Sequence, residues 1–186
     1  MSRTTSLLAS LLAAATITVA GLMGSTALAA GDPELDARAA STLAQFRKQQ
    51  PDADAVLKKA AGVLVFSGIL KGAFIFGAEG GDGALQVGGK SVAYYNFAAA
   101  SFGLQAGGQS KALVVLFRDK AALDKFRASA GFELGVDGQV AFFNKGSGDT
   151  LTTITHNNPI VFYVFDNTGL MADVSMKGGK FTKLDR

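Results

Sequence analysis

Cysteine is absent from all 186 residues. That excludes disulfides, thiolate nucleophiles, cysteine-ligated zinc and a lipid-modified N-terminal cysteine. Histidine occurs once, so a multi-histidine metal site is excluded as well. Tryptophan is absent, and 3 prolines stand against 23 glycines with no G-x-y period, which excludes collagen. Charge of one sign is also scarce. Eighteen Lys and Arg against 15 Asp and Glu leave +3, too mild an excess for a nucleic-acid binder. What the chain has in quantity is apolar area: 48% hydrophobic residues, 14 of them phenylalanine, and only 18% charged. That balance argues against disorder, and the length fits one ordinary domain with a real core.

The first thirty residues read as an export signal rather than as fold. Arg3 supplies a positive start. Leu7 to Met23 is an apolar stretch broken only by Ser10, Thr16 and Thr18, and Ala27-Leu28-Ala29 places small residues at −3 and −1 of a cleavage site. An uncleaved anchor helix would need roughly 20 apolar residues followed by basic ones, and small residues follow here instead. Residues 1–29 are therefore expected to be a signal peptide and 30–186 a single domain, periplasmic or secreted.

In the mature chain, Asp32-Pro33-Glu34 predicts a helix start, with Leu35, Ala39, Leu43 and Phe46 on one face. Pro51 stops it, and Asp52 is expected to cap a short second helix that ends in Lys58 and Lys59. From Gly62 onward, short apolar runs alternate with glycine pairs, which predicts strands and hairpins. The expected strands are Val63–Ile69, Ala73–Ala78, Ala84–Val87, Val92–Phe97, Gly103–Ala106, Ala112–Phe117, Leu134–Phe143, Leu151–Thr155, Ile160–Phe165, Leu170–Met176 and Phe181–Leu184. Asp119 is expected to cap one helix among them, with Leu123 and Phe126 inward. Ala112–Phe117 and Val161–Phe165 are apolar on both faces, so those strands are expected to be covered on both sides. The fold class is α+β: N-terminal helices packed on a curved, mainly antiparallel, barrel-like sheet. The segment 84–91 matches 103–110 at five of eight positions, as one strand–Gly-Gly turn–strand unit used twice.

Several motifs invite a chemical reading that their context weakens. Gly89-Lys90-Ser91 resembles the end of a phosphate-binding loop. The chemistry needs a following helix, and the strand-like Val92-Ala93-Tyr94-Tyr95 follows instead, so a hairpin is expected and no nucleotide. Gly77 to Gly83 has loose dinucleotide-type glycine spacing without a following helix and reads as a loop. Glu79 and Asp82 within it could serve as an acid–base pair or half a calcium site, against the plainer reading of a solvated turn. His156 sits in a turn-like context, with no G-x-S-x-G elbow in the chain. Tyr94, Tyr95 and Asn96 could line a pocket or occupy the two faces of one strand. Lys58, Lys59 and Lys71 flank the first apolar strand. Their convergence beside Phe74 would suit anionic lipid headgroups, at about 1 kcal/mol per charge near a surface.

The order of these features resembles the bacterial branch of the SYLF family, a lipid-binding, actin-patch-associated domain. The resemblance is carried by the segment from Lys58 to Phe66, by Lys71-Gly72-Ala73-Phe74-Ile75-Phe76-Gly77, by Tyr94-Tyr95-Asn96, most specifically by Ser101 to Ser110, and by the tail from Asp166 to Ser175. It runs from about residue 38 to the end. It implies a non-catalytic lipid-binding protein of the bacterial cell envelope. Eukaryotic members bind phosphoinositides and other anionic phospholipids, and some engage actin, ligands not expected in a periplasm. Many exported members are lipoproteins. This chain has no cysteine to acylate, so any membrane association is peripheral.

The expectation is thus peripheral binding of anionic phospholipid or a membrane surface through Lys58, Lys59, Lys71 and Phe74. No enzyme activity, metal, cofactor or nucleic acid is expected. Two alternatives stay open: a barrel-type carrier of an enclosed apolar ligand, and an envelope assembly protein that self-associates.

Overall fold

The computed structural model describes residues 31–73, 76–102, 109–143, 150–166, 169–170 and 178–186. The expected signal peptide and the expected strand Gly103–Ala106 lie outside the described residues, as do the polar loop 144–149 and most of Leu170–Met176.

Helix α1 (Pro33–Gln49) starts as its sequence predicts, with the Asp32 carboxylate accepting from Leu35 N at 3.0 Å and proline in the first turn. It buries Leu35, Ala39, Thr42, Leu43 and Phe46. Helix α2 (Ala53–Lys59) follows at once, but Asp52 does not cap it with its side chain. That carboxylate instead accepts from Thr152 N and from the Thr152 hydroxyl, both at 2.8 Å, and so ties α2 to a later helix.

The strands are β1 (Gly62–Ala73), β2 (Phe76–Val87), β3 (Lys90–Phe102), β4 (Gln109–Phe117), β5 (Phe132–Glu133), β6 (Val140–Phe142), β7 (Ile160–Asp166), β8 (Gly169–Leu170) and β9 (Lys180–Leu184), with α3 (Lys120–Ala128) and α4 (Leu151–Asn157) between them. They form one sheet in the order β5-β9-β3-β2-β1-β4-β7-β6, with β8 on β7. Every pairing is antiparallel except β6 with β7, which the α4 crossover makes parallel. The sheet curls into a half-barrel whose two ends, β5 and β6, are edges. The architecture is α+β, with the helices packed on a strongly curved, mainly antiparallel sheet.

The curl depends on glycine. Gly77 to Gly83, expected as a loop, lies inside β2. A Cβ on Gly81 would stand 2.4 Å from Gly68 O, and one on Gly83 would stand 2.6 Å from the Phe66 ring. Side chains there would hold β2 away from β1 at its bulge, between Phe66 and Leu70. The expected strand Ala73–Ala78 is split between β1 and β2, because Ala73 pairs across with Gly77.

Two further expectations fail for local reasons. Leu134–Phe143 is not a continuous strand. Gly135 takes φ +85°, and the Asp137 carboxylate accepts from Glu133 N at 2.7 Å, which turns the chain and leaves only β6. Leu151–Thr155 is helical despite its β-branched residues, because Thr150 caps it by accepting from Thr153 N at 3.1 Å. His156 therefore sits in the last turn of α4, not in a loop.

Alternation along the strands separates two cores. Odd-numbered β4 residues Leu113, Val115 and Phe117 join Phe66, Phe97, Phe126, Phe132, Phe162 and Phe181 on the concave side. Even-numbered Ala112, Val114 and Leu116 join Leu43, Phe46, Val56, Leu151 and Tyr163 under α1, α2 and α4. Strands β4 and β7 are covered on both faces, as their doubly apolar runs predict. Tyr94 and Tyr95 divide between the two cores, so they sit on opposite faces of β3.

Candidate functional site

The two ends of β1 carry charge in different ways. At its start, α2 ends on Lys58 and Lys59, both exposed, followed by Ala60 and Ala61 before Gly62 enters the sheet. The neighbouring strand ends gather there. Gly62 pairs with Phe117, Phe117 with Ile160, and the β2–β3 hairpin turns at Gly88 and Gly89 (φ +59° and +78°). Two positive φ values match the type I′ hairpin turn, which leaves Lys90 in a strand rather than on a phosphate loop.

Lys58 and Lys59, successive residues about 100° apart around α2, each line a different cleft. Lys58 borders one of about 470 Å³, lined also by the apolar Leu43, Leu57 and Val63, by Gly88 and Gly89, and by Arg47 and Asp54. Arg47 is held there by Asp54, its Nε 2.8 Å from Oδ1. Lys59 borders a smaller cleft of about 110 Å³ between α2 and α4, with Val56, Arg118, Thr155 and His156. Arg118 is fixed by three groups. Its Nη1 donates to His156 O at 2.8 Å, its backbone N donates to Pro159 O at 2.9 Å, and its side chain pairs with Asp119 at 2.9 Å. Asp119 also caps α3 by accepting from Ala122 N at 2.9 Å. That backbone bond, and then Arg118, hold its carboxyl below the usual range. Each cleft thus combines an exposed ammonium, an ion-paired guanidinium and apolar lining, a combination suited to an anionic amphiphile.

Lys71 does not join them. It lies on β1 nine residues beyond Gly62, roughly 30 Å along the strand at about 3.3 Å per residue. Its neighbours are Glu79 on β2 and Gln109 on β4. Phe74 lies outside the described residues. The lysines thus do not converge as one cluster. What the sequence did not flag is Arg118. Its place directly after an apolar strand, two residues before a helix, is the one signal that puts it at this end of the sheet.

At the other end of β1 the charges are buried. Lys111 Nζ lies 2.7 Å from Glu79 Oε2, with side chains 5% and 0% exposed. Register explains the meeting: Lys111 pairs with Ile69 and Glu79 with Lys71, so both stand on the concave face, one on each side of β1. Glu79 is therefore neither a solvated turn residue nor the partner of Asp82. Three residues apart on a strand, the two carboxylates face opposite sides. Asp82 accepts from Asn96 Nδ2 at 2.8 Å and from Arg186 Nη2 at 2.9 Å. Arg186 also reaches Asp32 at 2.7 Å and so ties the C-terminus to the start of α1. The Tyr94 hydroxyl accepts from Asp32 N at 2.7 Å and donates to Asp36 at 3.1 Å.

Residues 98–185 match the family model described as Ysc84, Las17-binding protein actin regulator. That segment, just under half of the chain, is similar to the SYLF domain. SYLF domains form a lipid-binding family, and the match agrees with the resemblance read from the sequence. No curated protein matches the chain. The SYLF match begins midway along β3 and takes in β4, Arg118, α3, α4 and β7, whereas α1, α2 and β1 precede it. The half-barrel nevertheless needs β1 and β2, which stand between β3 and β4 in the sheet. Among the described residues no helix is long and apolar enough to cross a membrane.

Proposed function

We propose that the protein binds anionic phospholipid peripherally at the bacterial cell envelope, without catalysis, through the α2 end of its half-barrel. One observation carries this reading: Lys58 and Lys59 stand at one helix end, each lining a different cleft that also presents an arginine and apolar side chains. The SYLF match supplies the ligand class, and the charges supply the preference for anionic headgroups. Each ammonium near an anionic surface contributes about 1 kcal/mol. The attraction fades within a Debye length of roughly 8–10 Å. Binding is therefore weak and salt-sensitive. The apolar lining lets each lysine lay its stem against the protein while its head meets phosphate.

Vesicle co-sedimentation of residues 30–186 tests this. Phosphatidylglycerol vesicles should carry the protein down at low salt and release it as salt rises, while phosphatidylcholine vesicles leave it in solution. Lys58→Glu with Lys59→Glu should weaken the phosphatidylglycerol binding by at least about tenfold, since two attractions become repulsions. Undiminished binding of that double variant would remove the α2 end as the site.

A further inference from the structure

The half-barrel has a seam. Strands β5 and β6 end the sheet with two and three residues each, and the short connector between them folds on itself through one isolated bridge, Leu134 to Gly138. An open cleft of about 810 Å³ lies at this seam, lined by the apolar Leu134, Val136, Val140 and Phe142 together with the polar Glu133, Gln139 and Asn158. Its size is within the range of small-molecule sites.

Two features of the cleft are unusual for a mere surface groove. Val136 is 72% exposed, the most exposed large apolar side chain among the described residues, and it sits beside Gly135 at a tight turn. Directly behind the lining lies the aromatic interior. Phe142 stacks on Phe162 at 5.3 Å, Phe162 on Phe181 at 6.0 Å, and Phe132 meets Phe126 at 5.2 Å. The floor is therefore apolar and continuous with the concave core. A Cβ on Gly138 would stand 3.0 Å from the Phe132 ring, so this glycine keeps the connector close against that floor.

We propose that the seam cleft is an acyl-chain site, entered between β5 and β6 by one chain of a membrane phospholipid. The choice of a lipid chain as occupant rests on the lipid-binding reading above. Continuity with the cationic end supports it. Asn158, which lines the seam cleft, is two residues from His156, which lines the Lys59–Arg118 cleft. Arg118 bonds both His156 O and Pro159 O and so fixes the wall between the two. A phosphate near Lys59 and a chain in the seam would lie on either side of the last turn of α4, which gives the chain its direction.

The absence of tryptophan makes the test clean. Val136→Trp places a reporter in the cleft, and Val92→Trp, at an exposed position on β3 outside the cleft lining, serves as control. The probe is lysophosphatidylglycerol with a brominated chain, kept below its micelle concentration. Saturable quenching of Val136→Trp emission, with Val92→Trp unchanged, is the expected result. Val136→Asp should in addition weaken the affinity for unbrominated lysophosphatidylglycerol by about tenfold, the loss of one apolar contact. No quenching, or equal quenching at both positions, overturns the seam site. Vesicle binding without quenching would leave the surface reading standing and remove the seam. Quenching without vesicle binding would do the reverse.

Discussion

The two ends of strand β1 teach opposite lessons about lysine. At one end Lys58 and Lys59 are exposed beside open clefts, and neither forms an ion pair among the described residues. At the other, Lys111 is buried against Glu79 on the floor of the half-barrel. A buried pair is costly to desolvate and holds only while both partners remain. The exposed lysines are therefore available for a ligand, whereas the buried one belongs to the fold. Removing charge should separate the ends cleanly. Glu79→Ala removes the carboxylate 2.7 Å from a buried ammonium and should cost about 3–5 kcal/mol in urea unfolding. Replacing both partners together, as in E79L/K111M, should recover most of that loss. A single variant as stable as the parent would show that the pair does not hold this end.

Backbone approach distinguishes the same end a second time. Gly81 faces Gly68 O at a distance that no Cβ can share. Gly81→Ala should force β2 away from the β1 bulge and cost about 1–3 kcal/mol, as overpacking does. Gly88, by contrast, has open space around its missing Cβ, and only its positive φ opposes a side chain. Gly88→Asn, which tolerates that conformation, should leave stability nearly unchanged.

At the open end, Asp119 offers a smaller and pH-dependent effect. Its Ala122 bond caps α3, so Asp119→Ala should cost about 1 kcal/mol. Its folded carboxyl titrates below its ordinary value. The charged form is thus the one the fold favours. The contribution is present above the unfolded value of about 3.9 and is lost as pH falls through the lower folded value. Asp119→Asn keeps a good cap without the charge, so its stability relative to the parent should improve as the solution is acidified below about pH 4. A constant difference across that range would mean the charge adds nothing.

The ends also differ in how well the sequence announces them. α1, α3 and the doubly covered strands β4 and β7 follow from apolar period and Asp caps, because there local and tertiary preferences agree. The glycine-rich part of β2 was not legible. A run such as Gly80-Gly81-Asp82-Gly83 reads locally as a loop, and only the close approach of Gly68 and Phe66 makes it a strand. Glu79 was misplaced for the same reason: once the loop is a strand, register buries its carboxylate beside Lys111. α4 was hidden by threonine, since a β-branched run favours strands until Thr150 is placed as its cap. At the candidate site, Lys58 and Lys59 were legible because a helix ending ahead of a strand puts its last turn at a sheet end. Arg118 required the knowledge that β4 and α2 finish at the same place, a fact of topology rather than of local pattern.

The smallest effect is the most informative for function. Lys58→Glu with Lys59→Glu changes two exposed charges with no ion pair among the described contacts, so urea stability should shift by no more than about 1 kcal/mol, chiefly through the dipole of α2. The same pair of changes should remove most binding to phosphatidylglycerol vesicles. Glu79→Ala should show the opposite pattern, with a large loss of stability and, at temperatures where the variant remains folded, little change in vesicle binding. If the two lysine changes instead destabilised the fold as much as they weakened binding, α2 would be a structural staple of the half-barrel. The cationic clefts would then follow from packing rather than from recognition.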